Sequence, residues 1–525
     1  MRMIVLLLTL TTTLPAQLNR STAYVLQVAD TVLAGFSGSS TSDISGSGDT
    51  LWFGTSLGLS ATFDNGQSFV SFDPRYSEIR AGAVSGLAVQ NDTIFVATAY
   101  DSTIAGEEYD TGGGISRSLD GGLSWEFLGQ PMDSLRWTTN DDGEETAEVY
   151  SNIVVWGDTL LAVDVVTPIN NPSYDLSFDG NRIWTASFAG GLRVSHDLGE
   201  NWERVMLPWD GYDRLDSLTI VAARPDIQND PEGFALDPVV HLNHRVFSVL
   251  AYGDTVWAGT AAGVNFSADQ GRSWQRYDYT NSNITGNFVV ALHRQQTSQG
   301  SVLWASTVTT READYTGISY YDVNDGYWRA ALTNERVYNF GASSDAIYVA
   351  GANGLFKSRD GQHYVRLPGI QHADDSDRIY SDAAYAAFVN TDGALWVGTG
   401  DGIAVSYDEG VTWRITKSRP EQTEDEFFAY PNPFTPRYDK VLNGQGNVLL
   451  RFEAELGESI SISVMDFAMN TVRHIVEDQI TPLSGTQERS WDGRNAAGYQ
   501  VANGTYFVRL ERGSDVLWTK VLVIN

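Results

Sequence analysis

The chain has no cysteine. Disulfides, thiolate zinc sites and a cysteine nucleophile are thereby excluded together. Export is not excluded, because a large β core needs no covalent staple. Basic side chains are scarce: 34 Lys and Arg stand against 66 Asp and Glu, a formal net charge of −32. Such a surface repels phosphate backbones and anionic lipid, which argues against nucleic acid as a partner. It suits the solubility of a secreted protein. No cofactor is expected; calcium on clustered carboxylates is the one alternative this balance leaves open.

Long apolar runs are missing after the first residues, so no membrane span is expected. The opening "MRMIVLLLTLTTTLPAQ" places Arg2 before an apolar stretch from Ile4 to Leu14, then Pro15-Ala16. That order reads as a secretory signal peptide over residues 1–16. The mature protein is then expected outside the cell or attached to its outer surface. No long run carries apolar residues at helical spacing, and the 50 glycines sit between short segments rich in Thr, Val, Trp and Tyr. This is an all-β composition.

What fills the chain is a repeat. "SATFDNGQSF", "SRSLDGGLSW", "VSHDLGENW", "VNFSADQGRSW" and "VSYDEGVTW" share one pattern, centred on Asp64, Asp120, Asp197, Asp269 and Asp408. Two weaker copies are "KSRDGQHY", one residue short around Asp360, and "YYDVNDGYW", degenerate between Asp322 and Trp328. Each copy follows a glycine and an apolar residue, usually behind a hairpin such as "GDTLWFGTS" or "GDTVWAGTA". A unit of four strands recurring seven times between about residues 37 and 417 predicts a seven-bladed β-propeller over 17–419. Extra hairpins at 24–36 and 151–163 leave eight blades as the alternative.

These residues resemble the Asp-box of sialidase-type propellers, sortilin-like receptors and photosystem assembly factors. The resemblance implies the fold rather than an activity. An Asp at the head of a tight turn accepts backbone N–H bonds, the Gly takes a positive φ, and the aromatic packs between sheets. One task repeated in every blade is structural, so the Asp-box carboxylates are expected to fasten blades.

From Pro420 the composition shifts: an acidic linker, 420–429, precedes "YPNPF" and a series of alternating strands to residue 525. The tail, 430–525, resembles the immunoglobulin-like domain of flagellar hook-capping proteins and the sorting domains of type IX secretion substrates. The matching residues are Tyr430 to Phe434, Trp491-Asp492-Gly493-Arg494, Gly498 and Gly504-Thr505-Tyr506. The resemblance implies export, with secretion machinery as the partner of this domain.

Catalytic readings find little to hold. The sialidase family places an arginine ahead of its first Asp-box, and none occurs between Ser21 and Asp64. No catalytic residue is assigned. His241 and His244 in "HLNH" lack a third metal ligand, and "NDDGEE" (140–145) lacks a full alternating-oxygen loop. The expansions at 99–113, 129–150, 206–243 and 308–316 all fall on the face opposite the boxes. Long loops on a rigid scaffold make that face the expected binding site. Trp209, Asp210, Tyr212 and Asp213 are the candidate contacts, exposed rings beside carboxylates suited to a glycan or an extracellular protein. Non-catalytic binding is the expected function. A propeller glycoside hydrolase or lyase is the alternative, and "LWFGTSLGL" and "LWVGTGDGI" also resemble ligand-sensing propeller ectodomains.

Overall fold

A computed structural model describes residues 32–38, 40–72, 78–139, 145–309, 315–372, 378–418, 427–437, 441–442, 445–481 and 484–525. The segment 1–16, most of "NDDGEE" and residues 420–426 of the linker lie outside these residues. Each hairpin signal becomes the first two strands of an antiparallel sheet. The turn residues Gly48, Asn91, Gly180 and Gly253 all take positive φ, between 55° and 62°, as primed hairpin turns require. A third strand follows, then a repeat turn, then a short fourth strand.

Seven such sheets of four or five strands occur among the described residues. Their first strands are Thr41–Ser47, Ala83–Gln90, Ser173–Asp179, Val246–Tyr252, Phe288–Thr297, Val337–Ala342 and Ala384–Val389, and we number the sheets 1 to 7 by them. Each first strand lies against that of the next sheet, and sheet 7 returns to sheet 1. The ring closes through apolar packing: Ile44, Leu51 and Phe53 of sheet 1 share a core with Trp396, Ile403 and Val405 of sheet 7. The architecture is a β-propeller, and strand is nearly all of the regular structure among the described residues.

Of the extra hairpin signals, residues 24–31 lie outside the described residues. Val32–Ala34 pairs with Val70–Phe72, adding a fifth strand to the outside of sheet 1. Tyr150–Val155 and Asp158–Val163 pair with each other as a separate two-stranded sheet. The segment 206–243 contains a helix, α1 (Ser217–Asn229), that composition did not announce. Asp216 caps it by accepting from Thr219 N at 2.8 Å, but only Ile220 and Ala223 are buried and Pro225 sits inside, so its apolar stripe is faint.

The two large insertions, 129–166 and 206–243, meet. Ala162 bridges Leu236, Arg224 grips both oxygens of Asp158 at 2.9 Å, and Leu160, Trp209, Ile220 and Leu236 share one core with sheets 3 and 4. They form a single cap packed on sheets 3 and 4.

The C-terminal segment is a two-sheet sandwich. One sheet pairs Phe427–Tyr430, Val448–Ala454 and Gly485–Trp491; the other orders Thr471–Ile480, Ser459–Met465, Gly504–Arg512 and Asp515–Val523. Its first strand begins before residue 430, because Phe427 and Ala429 alternate into the sandwich core. Lys417 joins the two parts, with Nζ 2.9 Å from Glu488 of the sandwich and 3.5 Å from Asp401 of sheet 7. No helix among the described residues is long and apolar enough to cross a membrane.

Candidate functional site

The repeat turns occupy one face. In sheet 4, Asp269 Oδ1 accepts Ser273 N at 2.8 Å and its Oδ2 accepts Ser273 Oγ at 2.6 Å. Ser267 Oγ donates to Asp269 and accepts Gly271 N, both at 2.8 Å. The same set recurs at Asp64, Asp120, Asp197 and Asp408. At Asp360 the shorter turn is closed by Gln362 N and His363 N instead. Every oxygen of these carboxylates is committed to its own turn, which is fastening chemistry. The glycine then meets the neighbouring sheet: a methyl on Gly271 would lie 2.8 Å from the Trp184 ring, and Gly122 faces Trp52, Gly199 faces Phe95 and Gly361 faces Trp304 in the same way.

The residues expected as ligand contacts in 206–217 are placed differently. Trp209 is 1 % exposed. Its Nε1 donates to Phe234 O at 2.8 Å, and its ring makes edge contacts with Tyr212 and Phe234 at 5.3 and 5.0 Å. Asp210 accepts Leu242 N and Asn243 N, each at 2.9 Å. Asp213 offers its carbonyl to Arg276 N and its carboxylate to the Arg276 guanidinium. The expected exposure of Trp209 is therefore corrected: Phe234, from the far end of the same insertion, closes over the ring. These side chains hold the cap together, and only Asp213 presents its carboxylate to solvent.

His241 and His244 serve the same cap. His244 Nδ1 accepts Asp237 N, and its Nε2 meets Leu207 O at 3.1 Å. Burial holds this imidazole at about 4, with His241 adding to the effect, so it stays neutral as that tautomer requires. Among the described residues no group of three or more His, Cys, Asp or Glu is arranged to hold a metal ion.

What sequence reasoning missed lies at the mouth of the central channel, on the long-loop face. Every first strand carries a register shift near its start, at Ser42, Ser85, Tyr174, Phe247, Val290, Tyr338 and Tyr385. A bulge re-aims the extra side chain. In sheets 3, 4, 6 and 7 that side chain is a half-buried aromatic ring. The rings touch from sheet to sheet: Tyr174 to Phe247 at 5.5 Å, Phe247 to Phe288 at 4.4 Å, and Tyr338 to Tyr385 at 5.2 Å. Arg245 lies 5.0 Å from Phe188 and Arg336 lies 5.5 Å from Tyr338, so guanidinium groups rim the arc. Sheets 1 and 2 place hydroxyls there instead, Ser42 and Ser85, bonded to Val84 O and Ser173 O of the following sheets. A signal did exist: Tyr174, Phe247 and Tyr338 each stand six residues before Gly180, Gly253 and Ser344 at the hairpin turn.

Just below this mouth stand Asp43 and Asp175. Asp175 accepts Val249 N of the following sheet at 2.9 Å and its own neighbour Leu176 N at 2.8 Å. Asp43 likewise accepts from the backbone of Leu87. Each thus satisfies the unpaired edge of the next first strand. Burial raises Asp43 to about 6, and burial together with the Asp43 charge raises Asp175 to about 7. These values lie above those of the unfolded chain, so the native state holds protons that the unfolded state has released. These two carboxylates therefore contribute stability that grows as pH falls from about 7 towards 4, against the opposite contribution of the buried His244 and His293 imidazoles, each held at about 4 by burial. Asp43→Asn and Asp175→Asn should each stabilise the protein at pH 7.5 by about 1–3 kcal/mol, a gain that shrinks towards pH 5. Denaturant titrations of wild type and variants at pH 5 and 7.5 check this; a variant no more stable than wild type at 7.5, or a difference equal at both pH values, would contradict it. Below pH 4 the turn carboxylates take over with the opposite sign, since hydrogen bonds from Asn201 and Thr412 hold Asp197 and Asp408 at about 2.

No protein-family model matches the chain, and no curated protein matches it. Similar solved structures include YCF48 from Cyanidioschyzon merolae, at 14% identity and a TM-score of 0.36, covering 63% of this chain and 84% of that one. An ancestral GH74 enzyme aligns at 12% identity and a TM-score of 0.49, covering 92% of this chain and 62% of its own. PorZ, described as an essential surface component of the type-IX secretion system of Porphyromonas gingivalis, aligns at 12% identity and a TM-score of 0.29, covering 93% and 75%. These likenesses concern the propeller fold alone.

Proposed function

We propose that the protein is a secreted or surface-attached binding protein that receives a glycan or an extracellular protein segment at the aromatic mouth of its channel. The observation that carries this reading is the bulge repeated in all seven first strands, which aims four aromatic rings at one opening. Half-buried rings with guanidinium groups at their rim are the composition of a contact hot spot. In this reading the repeat turns are Asp-boxes in their structural role, and the C-terminal sandwich is an immunoglobulin-like domain read by secretion machinery.

Binding without bond cleavage fits the commitments of the carboxylates near the mouth. Asp43 and Asp175 accept backbone N–H groups, and Asp401 is tied to Lys417. Phe247→Ala and Tyr385→Ala should each weaken capture of the ligand, selected from glycan and peptide arrays, by about 1–3 kcal/mol. Trp209→Phe should leave affinity unchanged. Unaltered affinity in both ring variants would remove the mouth as the site, and release of reducing sugar by the wild-type protein would make it an enzyme.

A further inference from the structure

The two defective copies of the repeat turn are neighbours in the ring, in sheets 5 and 6. In sheet 5 the box is replaced by a tight turn in which Asp322 Oδ1 accepts Asn324 N at 2.9 Å. In sheet 6 the turn is one residue short, and Gly361 settles onto Trp304. Sheet 5 also stands taller on this face. Past its bulge the first strand runs from Ala291 to Thr297, seven residues, where sheet 4 runs from Ser248 to Tyr252, five. Two further residues add about 7 Å of strand. A tall wall beside a shortened turn leaves a cleft of about 530 Å³ between the two sheets. That volume lies within the ~300–1,000 Å³ of small-molecule sites.

The lining indicates what the cleft would take. Tyr320, half-buried and packed on Trp304 with ring centroids 5.0 Å apart, supplies the one aromatic surface. Around it stand Asp322, Asn324, Asp345, Gln299 and Gln362, a dense set of acceptors and amide donors. The two guanidinium groups each pair with a carboxylate, Arg329 with Asp325 and Arg359 with Glu409, and Arg329 also lies 5.9 Å from the Tyr320 ring centroid. Carboxylates without a free cation disfavour an anionic ligand. A ring with an apolar face and a rim of hydroxyls would stack on the tyrosine and share its hydroxyls with the carboxylates and amides.

We propose that this cleft is a second ligand site, on the face opposite the channel mouth, for a neutral saccharide of one or two rings. The site coincides with the two sequence defects, the tight turn of sheet 5 and the shortened turn of sheet 6, both of which line it. It is independent of the mouth, and its test is separable from that of the mouth.

The test is saturation-transfer NMR on the full chain with cellobiose, maltose, lactose and chitobiose, each at millimolar concentration. Transfer to the ring protons of at least one sugar is expected. Ser344→Trp, which brings an indole into the cleft from an exposed turn residue, should abolish it with the melting temperature unchanged. Asp345→Ala should weaken the same sugar by about tenfold, a loss of roughly 1.4 kcal/mol. Phe247→Ala, on the other face, should leave it intact. No transfer to any of the four sugars, or transfer that survives Ser344→Trp in a protein whose mouth is also disabled by Phe247→Ala, overturns the proposal. Displacement of the sugar signal by spermidine at equal concentration would overturn the assignment of a neutral ligand and make the cleft a cation site.

Discussion

Trp209→Ala should destabilise the protein by about 3–5 kcal/mol, the usual loss on emptying a buried tryptophan site. The ring is 1 % exposed and touches Tyr212 and Phe234, and its Nε1 bond to Phe234 O ties together the two ends of the 206–243 insertion. Its removal opens a cavity in the core that also holds Leu160, Ile220 and Leu236. The effect should be concentrated in the cap. Amide exchange should accelerate in α1 and in the 150–163 hairpin before it does in sheets 1, 6 and 7. Trp209→Phe keeps most of the packing and loses the hydrogen bond, so its loss should be about 1–2 kcal/mol. Denaturant unfolding with site-resolved hydrogen exchange checks both. A Trp209→Ala protein as stable as wild type but unable to bind would return the ring to the binding site.

Gly271→Ala is expected to remove about 2–4 kcal/mol, although it adds a single methyl. Two penalties coincide. Gly271 sits at φ 80°, where an L-residue is strained by about 1–2 kcal/mol. The new methyl would also lie 2.8 Å from Trp184 in the neighbouring sheet, forcing the interface apart. Gly253→Ala separates the two, because that glycine has φ 58° and nothing within 4 Å of the added carbon. It should show the backbone penalty alone. Thermal unfolding of the two variants side by side measures the difference. Equal losses would mean that the turn glycine is needed for its conformation only and that the sheets do not clasp through it.

The legible parts of this protein are those whose physics is local. A repeat turn closes through bonds between residues two and four apart, as Asp269 does with Ser267 and Ser273. Residue type and spacing therefore suffice to read it. The hairpin turns and the alternation of Phe427, Ala429 and the later sandwich strands are local in the same sense. Helix α1 escaped because its apolar stripe is faint: Leu218 and Val221 are exposed while Ile220 and Ala223 are buried.

By itself the sequence determined an all-β chain, its repeated four-strand units and the turns that close them. Only the tertiary structure decided which rings meet solvent. Trp209 and Tyr385 are both aromatic residues on the long-loop side, yet Phe234, 25 residues away, covers the first, while a bulge turns the second towards the channel. The same holds for the cleft, whose two defective turns become one site only because sheets 5 and 6 stand side by side. Burial is set by whatever neighbour the fold brings up, and that neighbour is not written in the spacing around the residue itself.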